Sequence, residues 1–245
     1  MGDNERLNQL KNRQNDILER LQAMADKVAD MLPIQEITPI QKRIDDYATN
    51  ISLKHEMARV PKTYYSWTLE KRAAYLKAPS IHNLCKSIIV ENINCVNQNT
   101  DDPFNSRFYC IIIQYTTKLQ NQKILKFVKG LSTDNSSLSK ANYRFTMAQS
   151  EDSNRLTGFE YNAVCPIGTA VPIPIIISNK ILELPNPIVW LGGGEVDLKL
   201  VVDINDFKQS TELNTGTKVF VADVVYDQQY NSNDANVTNN NNDEE

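Results

Sequence analysis

The hydrophobic period of this chain changes along its length, and that change limits the folds open to it. In the opening 32 residues Leu7, Leu10, Gln14, Ile17, Leu21, Met24, Val28 and Met31 recur three and four apart, one stripe on one side of a helix. From Lys86 the pattern becomes KSIIVENI, RFYCIIIQYTT and KILKFVKG, runs rich in β-branched and aromatic residues that read as strands. Polar linkers, NCVNQNTDDPFNS and TKLQNQ, read as the turns between them.

The first 32 residues have no Pro and no Gly after Gly2, and polar residues fill most of the remaining positions. A lone helix of this kind has a partner's stripe or its own domain to cover, and a coiled coil over 1–32 is the economical expectation. Pro33 and Pro39 bracket a break, because proline cannot continue the hydrogen-bond ladder. Residues 33–77 read as a helical connector, with one helix over 40–57 and a second over 68–77 that Ser66 caps and Pro79 ends. Beyond the runs already named, a short helix after the polar 132–139 stretch, an extended ANYRFTMAQS, and strands at 181–184, 188–191, 197–202 and 218–225 complete a body over 78–227. Strands interleaved irregularly with helices predict an α+β fold: a mixed, partly barrel-like β-sheet flanked by helices and preceded by a long N-terminal helix. The Asn-rich acidic tail, 228–245, has almost nothing to bury and is expected to be disordered.

Several function classes drop out early. Cys85, Cys95, Cys110 and Cys165 show no CxxC spacing and sit in or beside apolar runs, as free thiols in a reducing compartment do. His55 and His82 are far apart and lack partnered ligands, so neither a metal nor a cofactor is expected. With no apolar leader and no span-length apolar stretch, the chain is expected in the cytoplasm, off the membrane. Net charge is only −4, yet Arg107 to Arg144 hold seven Lys or Arg against the single acid Asp134, and from Phe145 onward fifteen acids face five bases. A basic stretch on an acidic protein suits phosphate contact, and equally suits a solvated lysine-rich edge.

Three segments can carry chemistry. PSIHNLCKSIIVEN puts Lys86 at the start of an apolar strand, where an ammonium can snorkel or can hold a phosphate or oxyanion. TGFEYNAVCPIGTAVPIPIIIS forces a contorted backbone through Gly158, Pro166, Gly168, Pro172 and Pro174, either an aggregation-resistant edge or a loop whose amides face a pocket. WLGGGEVDLKLVVDINDF concentrates Gly192, Gly193 and Gly194, three of only eight glycines, where the backbone can approach a ligand. It fits neither a phosphate loop nor a dinucleotide fingerprint.

In order, these segments resemble the YbaK/prolyl-tRNA-synthetase-associated family of aminoacyl-tRNA editing domains. Lys86-Ser87-Ile88-Ile89-Val90 stands where the family has its lysine strand, Asn162 to Gly168 where it has a Gly-x-x-x-Pro loop, and Leu191 to Glu195 where it has a glycine-containing strand. The resemblance runs over most of 78–207, and departs from the family at Asn162 and Ala163, which replace glycines. Asn is the non-glycine residue most tolerant of positive φ and can keep the loop's shape.

The resemblance implies an aminoacyl-tRNA hydrolase acting in trans, without metal, on tRNA-Pro carrying Ala or Cys. Lys86 would be the catalytic residue, and Asn162, Ala163, Val164, Cys165, Pro166, Gly168, Gly192, Gly193 and Gly194 the substrate-binding set. Expected partners are tRNA and, through residues 1–32, either a second copy (a homo-oligomer) or an aminoacyl-tRNA synthetase. The alternative is a catalytically silent tRNA-binding or scaffold module, and a weaker one a coiled-coil adaptor.

Overall fold

The computed structural model describes residues 3–31, 36–131 and 138–227. The expected tail and the Pro33 break lie outside them. The chain divides into two compact units, residues 1–38 and 39–245.

The first unit is helix α1, Asp3–Met31. In the second, α2 (Pro39–Asn50) is followed by β1 (His55–Arg59), a 3₁₀ turn over Tyr64–Ser66, α3 (Leu69–Tyr75), β2 (Cys85–Asn92), β3 (Phe108–Gln114), β4 (Thr117–Leu119) and α4 (Asn121–Leu131). The remainder comprises β5 (Phe145–Met147), α5 (Ser150–Thr157), β6 (Ile175–Ser178), α6 (Asn179–Leu182), β7 (Ile188–Gly192), β8 (Leu198–Asp203), α7 (Ile204–Thr215), β9 (Val219–Ala222) and β10 (Val225–Asp227). The stretch 39–77, expected as a connector, is part of this unit, since β1 forms an edge of a sheet.

Two sheets make the frame. One runs β1-β8-β7, all antiparallel; the other runs β5-β2-β3-β6-β9, with β6 parallel to both β3 and β9. A short β4–β10 ribbon stands apart from them. A single parallel bridge between Leu84 and Trp190 joins the two large sheets into an open, partly barrel-like assembly. The class is α+β, as the mixture of strand runs and helices predicts.

Strand alternation assigns the two faces. Cys85, Ile89, Cys110, Ile112, Ile175, Ile177, Val189, Leu191, Leu200 and Val202 point inward, into one core closed by Ile44 and Ala48 of α2 and by Ile204 and Phe207 of α7. Each of these fully buried aliphatic side chains contributes about 1.5–3 kcal/mol. Outward, Val90, Tyr109, Ile111 and Ile113 pack under Ile124 and Val128 of α4. Leu84 and Trp190 pack under Leu69 and Ala73 of α3.

Several elements differ from expectation, for local reasons. KILKFVKG is helix α4, because its deepest residues, Ile124 and Val128, are four apart and not alternate. Residues 181–184 overlap a helical turn, α6, in which Ile181 drops into the core and the Glu183 and Leu184 amides bond to Asn179 and Ile181 carbonyls. TKLQNQ is not wholly a turn, since Thr117–Leu119 pair with β10. Helix α2 stops at Asn50 and β1 follows, where one long helix was expected. Thr68, not Ser66, caps α3, its Oγ1 accepting from the Lys71 amide at 3.3 Å.

Candidate functional site

Register brings the site together on the outer face. Leu84 bridges Trp190 in parallel, which brings the start of β2, with Lys86, beside the end of β7, with Gly192. Gly192 in turn pairs with Lys199 of β8. Because Cys85 and Ile89, Val189 and Leu191, and Leu200 and Val202 all face the inner core, Lys86, Gly192 and Lys199 form one outward row across three strands.

Gly192 is required there. A Cβ at this position would sit 2.4 Å from the Val164 carbonyl oxygen, so only glycine lets the 162–168 loop cross the end of β7. Its two neighbours serve the turn. The Gly193 amide donates to Leu198 O at 2.9 Å, and Gly194, at φ +90°, is held against Ile40, Ile44 and Phe159.

A cationic and aromatic roof covers the row. Tyr64 and Tyr65 come from the 3₁₀ turn, Arg72 from α3, and Tyr115 from the end of β3, whose amide donates to Leu84 O at 3.0 Å. Lys199 Nζ donates to Tyr65 Oη and lies 4.6 Å from the Tyr65 ring centre and 5.3 Å from that of Tyr64. Lys86 Nζ lies 5.6 Å from the Tyr115 ring centre, and Arg72 sits 5.3 Å from Tyr65 and 5.8 Å from Tyr115. Arg72 donates through Nε to Trp67 O at 3.0 Å and through Nη2 to Tyr65 O at 2.5 Å, while its buried Nη1 has no partner among the described residues.

The electrostatics follow from this crowding. Burial, with Arg72 alongside, lowers the Lys199 ammonium to about 7, against a smaller opposing pull from Asp197. Asp197 is itself paired with Arg59 at 2.9 Å. Burial also lowers Lys86, and Lys118 adds to the effect. Burial raises Tyr65 and Tyr115, so both keep their protons at neutral pH. Positive charge in excess, lined with tyrosine faces, suits an anionic ligand carrying a flat ring.

Of the residues expected from sequence, Lys86 and Gly192 lie on this face, with the Val164 carbonyl against Gly192 while the Val164 side chain packs on the inner core. The others do not. Ala163 and Cys165 turn into the inner core, where burial pushes the Cys165 thiol up to about 12. Pro166 lines a crevice of about 160 Å³ with Tyr47, Thr211 and Thr215, and Gly168, at φ +64°, lies against Ile44 and Tyr47. Asn162 is exposed, with φ +62°. Sequence reasoning missed Lys199, Arg72, Tyr65 and Tyr115. The one signal was a lysine in the middle of the apolar run LKLVV, an outward slot that should hold an apolar residue or a function. Among the described residues no cluster of side chains could hold a metal, all four cysteines are free and buried, and no helix is long and apolar enough to cross a membrane.

No family model and no curated protein matches the sequence. Solved structures do match the fold. A "putative trans-editing enzyme for prolyl tRNA synthetase" superposes with a TM-score of 0.54 at 18% identity, covering 76% of this chain and 98% of that one. The domain has a YbaK-like fold. A hypothetical protein matches this YbaK-like body equally well, at TM-score 0.54, 18% identity and coverage of 75% and 99%. So does a scaffold protein from computational epitope grafting, at TM-score 0.55, 17% identity and coverage of 78% and 99%.

Proposed function

We propose that the YbaK-like body hydrolyses the ester of mischarged aminoacyl-tRNA in trans, and that tRNA-Pro carrying Ala or Cys is its substrate class. The observation that carries this reading is the outward row Lys86–Gly192–Lys199 with the Val164 carbonyl laid over Gly192. The lysine strand, the glycine strand and the contorted loop that resemble an editing domain in sequence thereby meet at one place in space.

The chemistry needs little. Lys86 and Lys199 hold the terminal phosphate or the carbonyl side of the ester, and tyrosine faces receive the terminal adenine. Among the described residues the amide of Val164 bonds to no backbone carbonyl, which leaves it available to a developing oxyanion; the Gly193 and Ala163 amides are already engaged by Leu198 and Glu160. Water attacks with help from the neighbouring ribose hydroxyl, so no general-base side chain is required of the protein.

A second reading has its own support. Arg72 is only 2% exposed and Lys199 5%, so an aminoacyl group must displace the tyrosine roof to reach Lys199. A silent tRNA-binding module needs no such opening. Purified protein incubated with Ala-tRNA and Cys-tRNA carrying the proline anticodon separates the two: deacylation that falls at least about a hundredfold in Lys86→Ala supports the enzyme. Full retained activity in that variant removes Lys86 from the mechanism, and no activity in the wild type leaves the binding module.

A further inference from the structure

The flanks of α1 specify what can cover its apolar stripe. With Leu7 at the first core position of a heptad, Leu7, Gln14 and Leu21 occupy a, and Leu10, Ile17 and Met24 occupy d. Leu7, Leu10, Ile17, Leu18, Leu21 and Met24 are all between 49% and 65% exposed. The g positions are Arg6, Arg13, Arg20 and Lys27, and the e positions that follow are Lys11, Leu18 and Ala25. No acid stands at any of these flanking places. Glu5, Asp16, Glu19, Asp26 and Asp30 all fall at c and f, on the far side.

A second copy is a poor fit. In a parallel pair Arg6 meets Lys11 of the other copy, while Arg13 and Arg20 meet Leu18 and Ala25, with no attraction anywhere. In an antiparallel pair g faces g, basic against basic. Like charges opposed across a seam cost stability, and e/g charges set partner choice. A uniformly anionic surface such as RNA or lipid gains little either, because α1 carries six acids against five bases.

We propose that α1 binds a helix of a different protein, one with its own apolar a/d stripe and Glu or Asp at the flanking positions. The a/d seam supplies the burial and the basic edge selects the partner. This does not depend on the ester-hydrolase reading.

The test uses the full chain and two labelled four-heptad peptides with Ile at a and Leu at d, one with Glu and the other with Lys at every e and g. The acidic peptide should bind at least about tenfold tighter than the basic one, and less tightly as salt rises. R6E/R13E/R20E should invert the preference while deacylation, if present, is unchanged. Equal binding of the two peptides, a preference that survives the triple variant, or a protein that sediments as a dimer through α1 and takes neither peptide would each overturn the proposal. So would tRNA binding that the triple variant abolishes while the acidic peptide is ignored.

Discussion

Replacing Lys199 with Met should make the domain more stable at neutral pH. Lys199 is 5% exposed and its ammonium is lowered from 10.5 to about 7, chiefly by burial. Between those two values the unfolded chain keeps a proton that the folded chain has shed, so stability rises as pH climbs through that window. At about 1.4 kcal/mol per tenfold change in proton activity, the step from pH 7 to about 8.5 contributes roughly 2 kcal/mol in the wild type. Methionine keeps the apolar stem and removes the titration, leaving Tyr65 hydrogen-bonded to Tyr115. Urea unfolding at a series of pH values should show Lys199→Met more stable than wild type by about 2–4 kcal/mol near pH 6.5, the gap closing as pH rises. The difference between the two curves isolates Lys199 from other groups that titrate nearby. A gap independent of pH, or a variant less stable at pH 6.5, would refute the assignment of a desolvated charge. The same variant should bind tRNA ends less well, a stability gained at the expense of function.

Other outcomes follow from single residues. Gly192→Ala should cost about 1–3 kcal/mol in urea unfolding and lower deacylation with it, since the new methyl collides with the Val164 carbonyl; an unchanged midpoint would show the loop free to move. Asn162→Gly should be nearly neutral and Asn162→Val should lose about 1–2 kcal/mol, because φ is +62° there. Thr68→Ala should cost about 1 kcal/mol by removing the α3 cap, read as a lower melting temperature.

How much was legible beforehand depended on what each residue's neighbours had to supply. Strands β2, β3, β7 and β8 announce themselves because their partners are other strands and burial rewards runs such as CIIIQ directly. Helix α4 misled, since the β-branched and aromatic content of KILKFVKG reads as a strand until a sheet face shows that Ile124 and Val128, four apart, are the residues it covers. Helix α7 was invisible although Asp203 caps it, accepting from the Asn205 and Asp206 amides, and Gly216 ends it at φ +71°; its polar residues blur the period. At the site, Lys86 and Gly192 could be found because strand register is local to each. The roof could not, because Tyr65 and Arg72 meet Lys199 only after β8 has been placed beside β7.

Arg59 pairs with Leu198, its partner on β8. About 140 residues of chain separate them, which at ordinary synthesis rates is about 7–28 s on the ribosome. Through that interval the first strand has an open edge and no sheet to join. A nascent chain interrupted anywhere before residue 198 therefore exposes a hydrogen-bonding template, and such fragments should be the ones that recruit chaperones or aggregate.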